Sequence, residues 1–123
     1  MRVSRILLIY DDSEKAREAL YIAAYYAARY GCGLHILMPE KDSKSNEEAI
    51  DFAQEYLKSL NLDYQTVLLS YNELAENLTP FIEENSISTV MLGGYSTTGL
   101  LERIFSSTID HVLELSPVPV LVC

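Results

Sequence analysis

The chain has 123 residues, enough for one compact domain with a buried core and too few for two. Eighteen acidic residues against nine basic ones give a formal net charge of −9. This charge disfavours nucleic acid and acidic membranes as partners, because both bind proteins through clustered Lys and Arg. We expect a single cytoplasmic domain over residues 1–123, since the sequence has neither a signal-peptide pattern nor an apolar run of about twenty residues.

The first part of the chain alternates between strand-like and helix-like segments. Val3 to Tyr10 is a continuous aliphatic run, which predicts a strand buried on both faces. Ser13 then follows as a candidate N-cap. Glu14 to Tyr30 is an alanine-rich stretch that predicts a helix ending at Gly31. Leu34 to Met38 predicts a second strand.

The middle of the chain repeats the same alternation. A polar loop is predicted from Pro39 to Ser45, followed by a second helix whose apolar face comprises Ala49, Ala53, Tyr56, Leu57 and Leu60. Tyr64 to Leu69 predicts a third strand. The spacing of four apolar residues suggests a third helix, in which Pro80 either introduces a kink or starts the last part: Leu74, Leu78, Phe81 and Ile82.

The last third of the chain predicts two more strands and one more helix. Ser88 to Leu92 predicts a fourth strand that ends at Gly93-Gly94, and Val118 to Cys123 predicts the last strand. Between them, a helix is predicted to begin near Ser106, Ser107 and Thr108 and to run to Leu115. Strands that alternate with helices form a parallel sheet covered on both faces, and its ligands bind beyond the carboxyl ends of the strands.

The histidines, cysteines and helix tyrosines suggest no catalytic set. His35 and His111 are isolated, which favours packed or surface positions over ligand positions. Cys32 and Cys123 have neither metal-site nor disulfide spacing, and Cys32 between two glycines is typical of an inert turn thiol. On the first helix, tyrosines one turn apart are expected to pack against a neighbouring element: Tyr21 with Tyr25, and Tyr26 with Tyr30.

Four segments together resemble the universal stress protein family. Ile6 to Glu14 is similar to the first strand of that family, which ends in an Asp and a Ser. Met91 to Ser96 is similar to its glycine loop, and Ser106 to Thr108 to its second small-residue turn. Ser116 to Val122 is similar to its proline-flanked last strand. The resemblance covers the whole chain, because these segments keep the order and spacing of the family.

The resemblance implies a fold and a nucleotide site. The implied fold is α/β: an open five-stranded parallel sheet in the order 3-2-1-4-5 with helices on both faces, Rossmann-like and of the adenine nucleotide alpha hydrolase type. In nucleotide-binding members, the equivalents of Asp11 and Pro39 hold the ribose and the adenine, and the glycine loop holds the phosphates. The implied ligand is ATP or AMP, with Mg²⁺ accompanying ATP. The implied site residues are Asp11, Pro39, Gly93, Gly94, Ser96, Ser106, Ser107 and Thr108.

The sequence departs from the ATP-binding pattern of that family at two positions. Ser96 and Ser106 stand where the pattern has Gly, and the added Cβ costs about 1 kcal/mol wherever the backbone needs a positive φ. No Lys, Arg or His occurs from Gly93 through Glu102. The sequence is therefore closer to the branch with a degenerate ATP-binding loop. Our leading hypothesis is a dimeric stress-response or regulatory protein without enzymatic activity and with weak or no ATP binding. The alternative is an ATP- or AMP-binding regulatory module.

One further expectation concerns the partner of the protein. The last strand would form a sheet edge, and family members commonly dimerise through it, so a homodimer is expected through Val118, Val120, Leu121 and Val122.

A third hypothesis is a receiver-like signalling domain, because Asp11 and Asp12 follow the first strand. Receivers also need an Asp after the third strand, and Val67 to Ser70 supplies none.

Overall fold

The computed structural model describes residues 5–10, 14–39, 43–69, 71–93 and 116–123. Strands and helices alternate along these ranges: β1 (Arg5–Ile9), α1 (Glu14–Tyr30), β2 (Gly33–Pro39), α2 (Ser43–Ser59), β3 (Tyr64–Leu69), α3 (Tyr71–Glu84), β4 (Thr89–Leu92) and β5 (Val120–Val122). The strands form one five-stranded sheet in the order β3-β2-β1-β4-β5. All four neighbouring pairs are parallel, which confirms the predicted fold and strand order.

Strand β1 lies at the centre of the sheet and determines where the strand order reverses. Ile6 of β1 pairs with Leu34 of β2 on one side and with Thr89 of β4 on the other. The chain moves outward from β1 through β2 to β3, and then returns to place β4 on the opposite side of β1. The reversal therefore falls between β1 and β4, where open α/β sheets bind their ligands.

The two faces of the sheet carry separate apolar clusters, because successive side chains of a strand point to opposite faces. Ile6 and Leu8 of β1 belong to the cluster under α1 and α2, whereas Leu7 and Ile9 belong to the cluster under α3. Helix α1 meets the sheet through buried small side chains, which let its backbone come close: Ala16, Ala19, Ala23, Ala24 and Ala27. Burial on both faces explains why the sequence of β1 is continuously apolar.

Several predicted boundaries and one core position are wrong. Strand β2 begins at Gly33 rather than Leu34, and β5 spans Val120 to Val122 rather than Val118 to Cys123. Helix α2 begins at Ser43, inside the predicted loop, and Pro39 belongs to β2. The first turn of α2 is entirely polar, so apolar periodicity begins only at Ala49 and makes this turn look like loop. Ala49, Ala53 and Leu57 are buried as predicted. Leu60 lies beyond the helix end and is 43% exposed, so it is not a core residue.

Pro80 lies inside α3, which runs without interruption from Tyr71 to Glu84. A proline cannot donate the helical hydrogen bond to the carbonyl four residues earlier, here that of Glu76. Both residues are exposed, so water can satisfy that carbonyl. The last predicted helix, from Ser106 to Leu115, lies outside the described residues.

The expected packing of the helix tyrosines is correct for one residue. The ring of Tyr21 lies 5.0 Å from that of Tyr56 and 6.5 Å from that of Phe52, so it joins α1 to α2. Tyr25, Tyr26 and Tyr30 are exposed and contact mainly each other, with ring centroids 5.7 to 5.9 Å apart. Helical spacing predicts the contact of Tyr26 with Tyr30, but Tyr25 meets its neighbour Tyr26, and Tyr21 packs on α2.

His35 is the one buried polar residue among those that the structure describes, with 3% of its surface exposed. Its ring lies edge-on to Phe81 of α3, with centroids 5.8 Å apart. Neither ring nitrogen makes a hydrogen bond of normal geometry. Burial lowers the pKa of His35 below its usual value, and the positive charge of Arg5 lowers it further, while Gln65 and Asp63 oppose this shift. The neutral ring is thus the form that the fold favours.

The lowered pKa of His35 predicts that acid destabilises the protein through this residue. As the pH falls below the unfolded-state value of about 6.5, the unfolded chain binds a proton that the folded chain still excludes. The free energy of unfolding should therefore fall from pH 7 to pH 5, and this fall should be smaller in His35→Leu. Urea unfolding at several pH values measures the difference, and His111→Gln serves as the control for the other histidine. An identical pH dependence in His35→Leu and wild type would contradict the assignment.

Candidate functional site

The carboxyl ends of the central strands meet at one edge of the sheet. Ile9 pairs with Leu92, so the residues that follow them, Tyr10 and Gly93, lie side by side. The Tyr10 N–H donates to the carbonyl of Leu37 at 2.9 Å, and the Cys123 N–H donates to the carbonyl of Leu92 at the same distance. These bonds hold the ends of β1, β2, β4 and β5 together at this edge.

Gly93 is pressed against the first turn of α1. A Cβ added at Gly93 would lie 2.6 Å from the carbonyl carbon of Lys15 and 2.7 Å from both the Lys15 oxygen and the Ala16 nitrogen. Real Cβ atoms do not approach a backbone this closely, so every residue other than glycine would displace either β4 or α1. We call Tyr10, Lys15, Ala16 and Gly93 the switch-point site. The close approach of the two backbones is what requires glycine at position 93.

Lys15 is a residue of this site that the sequence analysis missed. No Lys, Arg or His occurs in the sequence from Gly93 through Glu102, but the fold brings the backbone of Lys15 to Gly93 from the other end of the chain. The Lys15 ammonium lies 3.4 Å from the Glu18 carboxylate, and both side chains are about half exposed. Such an exposed pair contributes little to stability, so the ammonium can exchange partners at small cost. The segment that resembles the family, Ile6 to Glu14, ends one residue before Lys15, so the resemblance gave no indication of this residue.

Helix α1 adds a second source of positive potential at the same place. The helix dipole places partial positive charge at the first turn of a helix. Lys15 lies in this first turn, because α1 begins at Glu14. Positive potential at a helix N-terminus is compatible with a small anion such as a phosphate group.

The structure places two of the predicted nucleotide-site residues. Gly93 lies at the switch-point site, and Pro39 is the last residue of β2, at the same edge of the sheet. The other predicted site residues lie outside the described residues: Asp11, Gly94, Ser96, Ser106, Ser107 and Thr108. Asp11 directly follows Tyr10 in the sequence. The composition of the whole site therefore stays a prediction.

Cys123 lies at the end of β5, close to α1. Burial raises the pKa of its thiol, and the negative charge of Glu18 raises it further. A thiol with a raised pKa is protonated at neutral pH and is a poor nucleophile. Cys123 is therefore not an activated nucleophile at this edge of the sheet.

The four predicted dimer residues divide into two pairs. Val118 and Val120 pack against the cluster under α3, whereas Leu121 and Val122 are each 42% exposed. Strand β5 is the last strand in the order of the sheet and pairs with β4 on one side. Among the strands that the structure describes, none pairs with its other side, which carries the exposed Leu121 and Val122.

The fold and the switch-point site together define the class of this protein as a Rossmann-like α/β protein with an open parallel sheet. The universal stress protein family model matches residues 2–123. The chain therefore belongs to the universal stress protein family. A search of curated protein sequences gave no significant match.

Solved structures of the same family share this fold. A universal stress family protein from Burkholderia pseudomallei is 23% identical with a TM-score of 0.69, and the alignment covers 98% of this chain and 95% of that one. A universal stress protein in complex with cAMP is 16% identical with a TM-score of 0.72, over 99% and 97% of the chains. One from Archaeoglobus fulgidus in complex with dAMP is 15% identical with a TM-score of 0.71, over 98% and 97%.

A separate observation concerns membranes. In the part of the chain that the structure describes, no helix combines the length and the apolar character needed to cross a membrane.

The tight contact at Gly93 predicts a large effect of the smallest side chain. Gly93→Ala should lower the free energy of unfolding by about 1 to 3 kcal/mol, because the new Cβ meets a backbone that cannot rotate away. Gly33→Ala is a matched control, since its Cβ would lie at an ordinary 3.6 Å from the Arg5 side chain. Urea unfolding measures both variants. Equal effects of the two substitutions would show that the contact at Gly93 is looser than the structure indicates.

Proposed function

We propose that the protein is a cytoplasmic homodimeric regulatory factor of the stress-response type, without catalytic turnover, which binds an adenine nucleotide weakly at the switch-point site. The observation that carries this proposal is the contact between Gly93 and the first turn of α1. That contact brings the end of β4 beside the first turn of α1, which contains Lys15. Phosphate binding needs backbone amides that the anion can approach closely, and in this proposal the loop after Gly93 and the first turn of α1 supply them.

The identity of the ligand is inferred from the family. Two solved structures with the same fold were obtained in complex with cAMP and dAMP, which are adenine nucleotides with one phosphate. In this chain, Asp11 would hold the ribose and Pro39 would line the adenine. The phosphate would bind the α1 amides, Lys15 and the loop residues Gly93, Gly94, Ser96, Ser106, Ser107 and Thr108. An ATP complex would bring Mg²⁺ with its additional phosphates.

The proposed binding is weak because of the two serines in the loop. Ser96 and Ser106 replace glycines of the ATP-binding pattern, and each Cβ narrows the approach of the anion to the backbone. Their hydroxyl groups can still donate hydrogen bonds to a small anion. A nucleotide with one phosphate needs less of this loop than ATP does, so we expect AMP to bind at least as well as ATP.

The proposed lack of turnover rests on the described groups that could act in catalysis. The Cys123 thiol is held protonated, which removes its nucleophilic form at neutral pH. His35, the buried histidine, lies on β2 beside Leu7 and Gln65 and contacts Phe81. Its position in the strand is four residues before Pro39, at which β2 reaches the edge with the switch-point site. The described site therefore supplies binding groups and no activated nucleophile.

The proposed dimer uses the free edge of β5. Leu121 and Val122 are exposed there, and an unpaired edge strand with apolar side chains tends to pair with a strand of another chain. Pairing with the same strand of a second copy would extend the sheet and cover these side chains. Cys123 follows β5 and bonds to Leu92 near Gly93, so the dimer surface would adjoin the nucleotide site.

Nucleotide binding should appear as a rise in melting temperature. With a dissociation constant of about 1 mM, nucleotide at about 5 mM should stabilise the fold by about 1 kcal/mol and raise Tm by about 3 to 6 °C. AMP, ATP and ATP with Mg²⁺ should each be measured by differential scanning fluorimetry. Lys15→Gln should reduce the rise, while Lys58→Gln, exposed on α2, should not. Ser96→Gly with Ser106→Gly should enlarge it. The absence of any rise at millimolar concentration would refute nucleotide binding.

The dimer should depend on the exposed side chains of β5. Sedimentation of the wild type should give twice the 13.9 kDa of one chain, and Leu121→Lys should shift the protein towards monomer by placing a charge in the interface. Leu60→Lys is the matched control, because Leu60 is equally exposed but lies after α2. A monomeric wild type, or equal effects of the two variants, would contradict this interface.

A further inference from the structure

At the amino edge of the sheet, a glycine lies between one basic residue and one acidic residue. Arg5 of β1 pairs with Gly33 of β2. Tyr64 of β3 pairs with Leu34, so Asp63 lies beside Gly33 on its other side. Neighbouring strands are about 4.8 Å apart, which places the Arg5 and Asp63 backbones about 10 Å apart with the glycine between them. The basic residue Arg5 and the acidic residue Asp63 thus flank a position that has no side chain.

A cavity lies between these two charged residues. Its volume is about 210 Å³, and its lining includes Arg5, Gly33, His35, Asp63 and Gln65, which we call the amino-edge notch. The cavity is partly open to solvent, with lining residues that also include Cys32 and Tyr64. It lies at the ends of the strands opposite to the switch-point site, because Gly33 begins β2 and Pro39 ends it.

The wall of the notch contains a buried polar residue, His35, whose ring interacts with the side chain of Gln65 but makes no hydrogen bond of normal geometry. His35 follows Gly33 by two residues, so both face the same side of the sheet. His35 is 97% buried as a residue, and both ring nitrogens lack a hydrogen bond of normal geometry. Buried polar atoms nearly always have well-formed partners, so this ring has hydrogen-bonding capacity that the contact with Gln65 does not fully use. A neutral imidazole offers one donor and one acceptor.

Access to His35 depends on Gln65. Gln65 pairs with His35 across β2 and β3, and its side chain is exposed. An exposed glutamine changes rotamer at small cost, so a ligand in the notch can displace it and reach the ring. The N–H and hydroxyl of Ser88 both donate to the carbonyl of Arg5, at 2.9 and 3.0 Å. This holds the backbone of Arg5 in place from the β4 side.

We propose that the amino-edge notch binds a small zwitterion of the amino-acid type, with its carboxylate at Arg5, its ammonium at Asp63 and one hydrogen bond to His35. Two simpler ligands fit less well. A metal cation would be repelled by the guanidinium of Arg5, and a simple anion would be repelled by the carboxylate of Asp63. A zwitterion pairs with both charges at once. This binding function is separate from the proposed nucleotide site and depends on different residues.

A titration with simple zwitterions tests the proposal. Glycine, β-alanine and γ-aminobutyrate place the two charges at increasing separation, and acetate and methylammonium carry one charge each. The ring ¹⁵N signals of His35 in the full chain report binding, and His111→Gln identifies which signals belong to His35. At least one zwitterion should shift them saturably, with acetate and methylammonium binding about tenfold more weakly or less. No saturable shift up to about 50 mM, or equal binding of acetate, would overturn the proposal.

Variants of the notch separate binding from general effects on the fold. Arg5→Gln and Asp63→Asn should each weaken the zwitterion by about tenfold or more, because a charge-assisted contact is lost. Lys58→Gln and Asp51→Asn, exposed on α2, are matched controls and should leave it unchanged. Gly33→Val should fill the notch and abolish binding, and its Cβ has space there. If this variant does not fold, the charge variants decide. Unchanged affinity in both charge variants would overturn the proposal.

Discussion

The approach of Gly93 to the first turn of α1 is the constraint on which the carboxyl edge of the sheet depends. Strand β4 can lie beside β1 and still end at α1 only because position 93 has no side chain. The buried alanines of α1 have a related role, since they let the whole helix lie close to the sheet. Small side chains on the helix and a glycine on the strand therefore bring two distant parts of the chain together. The same contact places the end of β4 against the backbone of Lys15 and Ala16.

Strand β1 connects both ends of the molecule. Its carboxyl end leads through Tyr10 to the switch-point site, while Arg5 at its amino end lines the amino-edge notch. Between them, its buried residues alternate between the two apolar clusters. A central strand buried on both faces is among the most rigid parts of an α/β fold, because every side chain is packed. Both proposed binding sites thus adjoin the best-packed element of the fold, while Lys15 and Gln65 beside them are exposed.

The sequence predicts the architecture better than it predicts the sites. Apolar runs and Gly31 are local signals, and they place β3 and both ends of α1 at the observed residues. The polar first turn of α2 gives no such signal, so its start at Ser43 is missed. Lys15 and Gly93 are far apart in the chain, and only the folded sheet shows that they meet. The row formed by Arg5, Gly33 and Asp63 likewise depends on strand register, which periodicity does not determine.

Net charge and local potential lead to different conclusions for this protein. The charge of −9 disfavours partners that contact a large surface, such as nucleic acid. A large area of this protein includes many acidic residues, and these repel an anionic partner. A small anion responds to the groups within about one Debye length, about 8 Å at physiological ionic strength. In the proposed site those groups would include the positive end of the α1 dipole and the ammonium of Lys15, which lies 3.4 Å from the opposing carboxylate of Glu18. The Lys15–Glu18 pair is exposed and weak, so an entering phosphate can compete for the ammonium. An acidic protein can therefore hold a small anion, although only with modest affinity.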